Sequence, residues 1–494
     1  MTLDVATRAA HFPDRTAVID HDTGDRWSYA DIAGETVAAA DRLAAAGVDA
    51  SDRVVVLSRN RPELLALLFA ARRRGATLAP VSHRLAEGTV AALVDRIDPQ
   101  RILYEERFAD LVPASEASRR LSAFLDAAGS AGEADAATPT RRDDDAEPLF
   151  LHTGGTTGTP KVVPISNRQI EWNCITEVAA WGLGKGTVAP ILLPQFHTGG
   201  WNLLALPTLY VGGTVVLHRE FDPGAALEVV ETHGATHLFG VAAVFDAIAE
   251  HPAFETTDLS TVEWFMSGGG PTPEPIAAQY RDRGVPFVRG YGLTEGGPNN
   301  LYVDPDRDAE KPASVGRSFP DCRTRIVDDA GERVDRGDVG ELELRGPVTA
   351  ERYLATEDGT FAGEWVSTGD LVRKDEDGDH FITGRVDNMF VSGGENVHPE
   401  TIESVLERHE AVEAAGVVGV SHERWGTVPK ALVVAGGDAE PAAIEAFAAE
   451  RLADYEQPQE LRLVDALPRS GPGKLDREAL RAQYGDRTDP DQHQ

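Results

Sequence analysis

From Val18 to about Leu217, short apolar or β-branched runs alternate with longer segments of helical spacing. Arg53-Val-Val-Val-Leu57, Thr77-Leu-Ala-Pro80 and Gly213-Thr-Val-Val-Leu217 read as strands. Residues 38–46 and 62–74 are the clearest of the intervening helices. Such alternation predicts an α/β architecture with largely parallel sheets. Residues 129–147 are rich in Ala, Gly, Asp and Thr and lack apolar periodicity, so they read as an exposed connection. The pattern changes from Ile326 to Lys374, where short strands (341–344 and 364–366) are punctuated by Asp-Gly turns, predicting a small β-rich subdomain. Beyond Gly384-Arg-Val-Asp387 comes a compact α+β unit, opening with a helix over 399–408 and a strand over 415–420. Residues 485–494 read as a frayed tail. Arg72, Arg73 and Arg74 stand where a helix C-terminus favours cations.

A chain of 494 residues exceeds what one core usually supports. The division expected is a large N-terminal domain, 1–386, of α/β subdomains plus the β-rich one, then a small mobile α+β domain, 387–494. No apolar run is long enough to span a bilayer, and no basic start leads into an apolar core. Two cysteines form no disulfide framework, and no Cys/His cluster has zinc spacing, which fits a cytoplasmic protein. The balance of 81 acidic against 47 basic residues argues against nucleic-acid binding and suits a solvated surface in a salt-rich cytoplasm. The sequence leaves a homodimer open. Only six of the basic residues are lysines, yet Lys161 and Lys474 both fall inside Gly/Pro loops.

Candidate chemistry lies in loops that follow strands. His152-Thr-Gly-Gly-Thr-Thr-Gly-Thr-Pro-Lys161 follows the short strand 148–151 and offers backbone N–H groups, hydroxyls and a cation, a phosphate-binding set. It is not a Walker loop, because a proline precedes the lysine and Val162 follows it. Ser267-Gly-Gly-Gly-Pro271 is a second glycine turn after a strand. Val288-Arg-Gly-Tyr-Gly-Leu-Thr-Glu295 supplies an aromatic face, a hydroxyl and a carboxylate, enough to stack a base, hold a phosphate and bind magnesium. Asp370, in Ser367-Thr-Gly-Asp370, suits a ribose diol or an ordinary turn. Pro468-Arg-Ser-Gly-Pro-Gly-Lys-Leu-Asp476 presents Lys474.

In their order along the chain, from Trp27-Ser-Tyr-Ala-Asp31 to Lys474, these motifs resemble the adenylate-forming superfamily of acyl- and aryl-CoA synthetases, luciferases and peptide-synthetase adenylation domains. By that resemblance Thr153, Gly154, Gly155, Thr156, Thr157, Gly158 and Lys161 would clasp the ATP phosphates. Gly268, Gly269 and Gly270 would line the adenine, with Tyr291 stacked on it and Arg289, Gly290 and Gly292 beside it. Thr294 would contact the α-phosphate, and Glu295, with Thr156, would hold Mg2+. Asp370 and Arg385 would take the ribose, Asp387 would be the hinge, and Lys474 the catalytic lysine. Gly393 and Gly394, in Ser392-Gly-Gly-Glu-Asn396, would line the thiol channel for coenzyme A. Trp425 would lie against coenzyme A or be an ordinary buried tryptophan. The sequence departs from the family pattern at Gly154, Val162, Gly270 and Arg289, none of which removes a catalytic group.

The chemistry implied is attack of a carboxylate on the α-phosphate of ATP, loss of pyrophosphate, and displacement of AMP by a thiol. Leu193-Pro-Gln-Phe-His-Thr-Gly-Gly-Trp201 resembles the segment that opens the acyl pocket. His197 stands near where amino-acid-activating members carry an Asp, which favours a plain carboxylic acid; its other reading is a histidine hydrogen-bonded in a core turn. Trp201, Leu203, Leu204, Phe239 and Val241 supply apolar lining. The expected activity is an ATP-dependent acyl-CoA synthetase for medium- or long-chain fatty acids. An aryl-CoA ligase of the benzoate or 2-succinylbenzoate type stays open. So do a module loading a carrier protein, a luciferase-like oxygenase, and an inactive nucleotide-binding regulator.

Overall fold

The computed structural model describes residues 3–127, 143–153, 160–304, 307, 310–357, 359–392, 395–422, 426–436, 440–470 and 474–485. The chain divides into two compact units. The first holds residues 1–155, 159–324 and 344–367, and the second 156–158, 325–343 and 368–494.

The first unit carries two mainly parallel sheets. In one, Thr16–Asp20, Thr214–Leu217, Val188–Ile191, His237–Gly240, Trp264–Ser267 and Phe287–Tyr291 run side by side in parallel, and only the edges are antiparallel. In the other, Arg53–Leu57 lies between Thr77–Pro80 and Arg101–Tyr104, and the hairpin Leu149–His152/Val162–Ile165 closes one edge. The α/β alternation expected from the sequence is therefore present. Its strands are short and buried on both faces, as parallel strands under helices must be.

Local signals fix the helices. Ser28 and Asp31 form a capping box on Tyr29–Ala45, and Ser166 and Gln169 form one on Asn167–Trp181. Pro62–Arg74 starts on its proline and ends at Gly75, which is left-handed at φ 69°. Its last-turn arginines sit where the dipole favours them, and Arg72 also pairs with Glu171 at 3.5 Å. The helix expected over 38–46 is the C-terminal half of Tyr29–Ala45.

In the second unit Val412–His422 pairs along its length with Gly426–Ala435, flanked by Glu460–Leu463 and Phe390–Ser392. Alternation with period two splits the core. Ala415, Val417, Ala431 and Val433 pack with Ile402, Leu406 and Ile444 on one face, while Val418, Val420, Val428 and Leu432 pack with Leu467 and Leu480 on the other. Both expected elements are here with moved ends: the helix is Pro399–Leu406, and the strand starts three residues earlier and ends two later, as Val412–His422. Cross-strand pairing, invisible in a local pattern, sets those ends. No helix among the described residues is long and apolar enough to cross a membrane.

Candidate active site

In the first unit the strands Leu149–His152 and Val162–Ile165, on either side of the threonine- and glycine-rich segment, pair as a hairpin. His152 pairs with Val162, and the Thr153 N–H donates to the Lys161 carbonyl at 2.8 Å. Gly154, Gly155, Thr156, Thr157 and Gly158 lie outside the described residues. Beneath the hairpin, His152 Nε2 accepts from the Ser82 N–H at 3.0 Å. Burial, then the nearby His197, pushes its pKa down to about 3, so this ring is a neutral structural acceptor.

Lys161 opens onto a cluster that the sequence did not announce. Its Nζ lies 4.8 Å from the centre of the Tyr353 ring. The Tyr353 hydroxyl donates to Glu295 Oε1 at 2.7 Å, and the Ala350 N–H donates to the Glu295 carbonyl at 2.7 Å. Lys161, Tyr353 and Glu295 thus form one contiguous group, with Glu295 only 8% exposed. Tyr353 is 58 residues from Glu295, and no local motif marks it.

Two parallel strands deliver the next loops. Ser267 and Arg289 are register partners, so Gly268, Gly269 and Gly270 and the segment from Gly290 leave neighbouring strands at their carboxyl ends. Open α/β sheets offer ligand crevices there. A side chain at Gly292 would collide with the Pro298 carbonyl oxygen, so the turn after the half-buried Tyr291 admits only glycine. Arg289 is buried and pairs with Glu274 at 2.5 Å, on the helix that follows the Gly268 turn. Its role here is to tie the two loops' supports together. Thr294 is half-buried, one residue before Glu295.

Around His197 the walls are rings. Phe196 is centred 4.7 Å away and His152 6.2 Å away, and His83 stacks on Phe108 and meets Phe196 edge-on. Burial, then Arg84, pushes the His197 pKa down to about 4, so it is neutral near pH 7. Among the described residues its imidazole makes no hydrogen bond, unlike the core-turn alternative. Phe239 and Val241 border the glycine turn: a Cβ on Gly268 would lie 3.2 Å from Phe239 Cζ, and one on Gly269 3.5 Å from Val241 Cγ1. Trp201 is fully buried, and its indole N–H donates to the Gln195 carbonyl.

In the second unit Asp370 faces Arg385 across a hairpin, with Arg385 donating to Asp370 Oδ1 at 2.7 Å. Arg385 also lies 3.7 Å from Asp387, which is exposed in the single turn Val386–Asn388. The backbone of Lys474 pairs with Ser470 in a two-residue hairpin. Just beyond it Asp476 caps the helix Arg477–Tyr484, and Arg477 holds Glu403 with two donors at 2.6 and 2.9 Å. Gly393, Gly394 and Trp425 lie outside the described residues.

Residues 5–354 match the AMP-binding enzyme family, and residues 401–474 match the AMP-binding enzyme C-terminal domain. A feruloyl-CoA synthase from Amycolatopsis sp is 35% identical, with 97% of this chain and 98% of that protein covered. An indoleacetate–CoA ligase from Aromatoleum aromaticum is 32% identical over 97% of this chain and 95% of its own length. The solved o-succinylbenzoate CoA synthetase from Bacillus subtilis, in complex with its acyl-adenylate intermediate, superposes with a TM-score of 0.87 at 26% identity, covering 97% of each chain. The chain belongs to the AMP-binding enzyme family and is, like these relatives, an AMP-forming acid–thiol ligase.

Proposed function

We propose that the chain activates an aromatic carboxylic acid with ATP, through an acyl-adenylate, and transfers the acyl group to coenzyme A. The observation that carries the choice of acid is the ring-walled surround of His197, an imidazole that is itself neutral, with Arg84 the nearby cation against Phe196. A flat acid fits between rings, where offset and edge-on contacts add to apolar burial. The feruloyl and indoleacetate relatives, each named for an aromatic acid, support the same reading. A medium- or long-chain fatty acid is the second reading, favoured by the purely apolar Phe239 and Val241.

In this reading Thr153, Gly154, Gly155, Thr156, Thr157, Gly158 and Lys161 hold the β- and γ-phosphates. The turn Gly268, Gly269, Gly270, with Arg289, Gly290, Tyr291 and Gly292, receives the adenine, and Asp370 with Arg385 receives the ribose. Thr294 donates to the α-phosphate. Glu295, kept in place by Tyr353, holds magnesium, with Thr156 as a further ligand; the ion would neutralise charge developing on the phosphates. Lys474 bridges the incoming carboxylate and the α-phosphate. Asp387 is the hinge between domains 1–386 and 387–494, and Gly393, Gly394 and Trp425 meet coenzyme A.

The test is a panel of ferulate, indole-3-acetate, 2-succinylbenzoate, decanoate and hexadecanoate, assayed for pyrophosphate release with and without coenzyme A, with the thioester measured directly. The expected result is fastest turnover on an aromatic acid, with thioester formed. Pyrophosphate without thioester would overturn the synthetase. Decanoate or hexadecanoate outpacing every aromatic acid would replace the substrate class with the fatty one.

A further inference from the structure

Glu177 lies in the helix Asn167–Trp181, is 0% exposed, and takes no part in the chemistry above. Its Oε1 accepts from the side-chain amides of Asn173, at 3.3 Å, and of Asn299. Asn299 also donates to Asn173 Oδ1 at 3.1 Å, and Asn173 donates to the Asn202 carbonyl at 2.5 Å. No cation among the described residues pairs with Glu177, and its Oε2 has no partner there. Burying a carboxylate in this way costs several kcal/mol, so a helix that keeps one needs a reason.

The reason is where Asn299 sits. Residues 294–300 form one tight loop that begins with Thr294 and Glu295. Asn300 donates to the Gly296 carbonyl at 2.7 Å, and Gly297 is left-handed at φ 82°, with no room for a side chain against the Val348 carbonyl. The loop is gripped at its start through Glu295 by Tyr353 and Ala350, and at its end through Asn299 by Glu177. Asn173 and Asn202 share with Thr294 the lining of one small void.

We infer that Glu177 is a positioning residue for adenylation: through Asn299 and Asn173 it fixes the loop that aims Thr294 and Glu295. Burial drives its pKa well above the usual carboxylate range, against a smaller opposing pull from Asn173, and so favours the neutral acid. Cys174, one turn back, is the titratable group beside it and is itself held neutral by burial. The neighbouring segments face it with Asn202 and Asn299, which do not titrate. A neutral carboxyl can be replaced by an amide; an alanine cannot hold Asn299.

This inference rests on the adenylation reading, and one experiment separates the two. Glu177→Ala, Glu177→Gln, Asn299→Ala and Glu295→Gln are assayed with whichever of ferulate, indole-3-acetate, 2-succinylbenzoate and decanoate the wild-type chain turns over fastest. Pyrophosphate release and thioester transfer from the preformed acyl-adenylate are measured separately, with melting temperatures alongside. Glu177→Ala should lower kcat for pyrophosphate release by about tenfold or more while thioester transfer stays within about threefold, and Glu177→Gln should stay within about twofold of wild type in both. Asn299→Ala should follow Glu177→Ala, and it carries the test if Glu177→Ala does not fold. Wild-type pyrophosphate release by Glu177→Ala, equal damage from Gln and Ala, or parallel loss of both half-reactions would overturn the positioning role. Full activity in Glu295→Gln would instead bring down the adenylation reading.

Discussion

The two units each bury a glutamate on a helix, and they solve the same problem in opposite ways. Glu403 in the second unit meets a guanidinium. Arg477 donates two parallel hydrogen bonds, at 2.6 and 2.9 Å, and lies 3.1 Å from Glu400 as well. Glu177 in the first unit meets two amides and no cation among the described residues. Burial raises both pKa values. At Glu403 the arginine opposes the rise, and Arg477 is itself pushed up by its carboxylates despite its burial. The pair at Glu403 is therefore ionic, while burial without a cation favours the neutral acid at Glu177. A charged clamp suits a helix that must anchor the short hairpin holding Lys474. If the 294–300 loop faces the phosphates, as proposed, a neutral clamp suits it, because another fixed negative charge there would repel the substrate.

Breaking the ionic clamp should have the largest effect. Arg477→Ala leaves the Glu403 carboxylate buried without its partner, and removing one member of such a pair costs about 3–5 kcal/mol. Urea denaturation followed by tryptophan fluorescence checks this. The double replacement Glu403→Leu with Arg477→Met should recover most of the loss, because neither charge is then stranded. A double variant as unstable as Arg477→Ala would mean that shape rather than charge holds the helix.

Neither clamp was legible in the chain. The strands were, because β-branched runs buried on both faces leave a local signature; Thr294, Glu295, Asp370 and Lys474 stood out as candidates because they lie in or beside glycine-containing loops. Glu177 reads as one more acidic residue among 81 on a polar-looking helix. Only the packing of the first unit's helices around it reveals that it is interior. Arg477 and Glu403 are 74 residues apart, and Tyr353 and Glu295 are 58 apart. Side-chain partnerships at that range belong to the fold and have no period to read.

The neutral clamp predicts a pH signature. The unfolded Glu177 ionises near 4.5 and the folded one well above it. Its contribution to stability is therefore complete below about pH 4.5 and is lost progressively as pH rises towards the folded value. Relative to Glu177→Gln, which does not titrate, the wild type should lose about 1.4 kcal/mol of unfolding free energy per pH unit in that window. Equilibrium denaturation of both proteins at pH 5, 6 and 7 measures the slope. A constant difference would mean that Glu177 is already ionised in the fold, against the contrast with Glu403.

A third buried carboxylate gives the smallest expected effect and the finest test. If Glu295 holds a cation, as proposed, it must stay ionised, so its environment has to resemble neither the arginine fork of Glu403 nor the amide cradle of Glu177. Among its contacts with described residues is a neutral donor, the Tyr353 hydroxyl at 2.7 Å, on a ring that also faces Lys161 at 4.8 Å. That hydroxyl holds the Glu295 side chain in one rotamer. Tyr353→Phe keeps the ring and its contact with Lys161 but removes the donor. Losing a hydrogen bond to a charged group costs about 1.5–3 kcal/mol when it is fully buried. Part of that should be recovered here once a cation takes over the carboxylate. The variant should therefore fold normally, release pyrophosphate about tenfold more slowly at limiting magnesium, and approach the wild-type rate as magnesium is raised. A deficit that magnesium does not relieve would place Tyr353 in the packing of the hairpin alone and leave Glu295 positioned chiefly by its backbone and the loop end at Asn299.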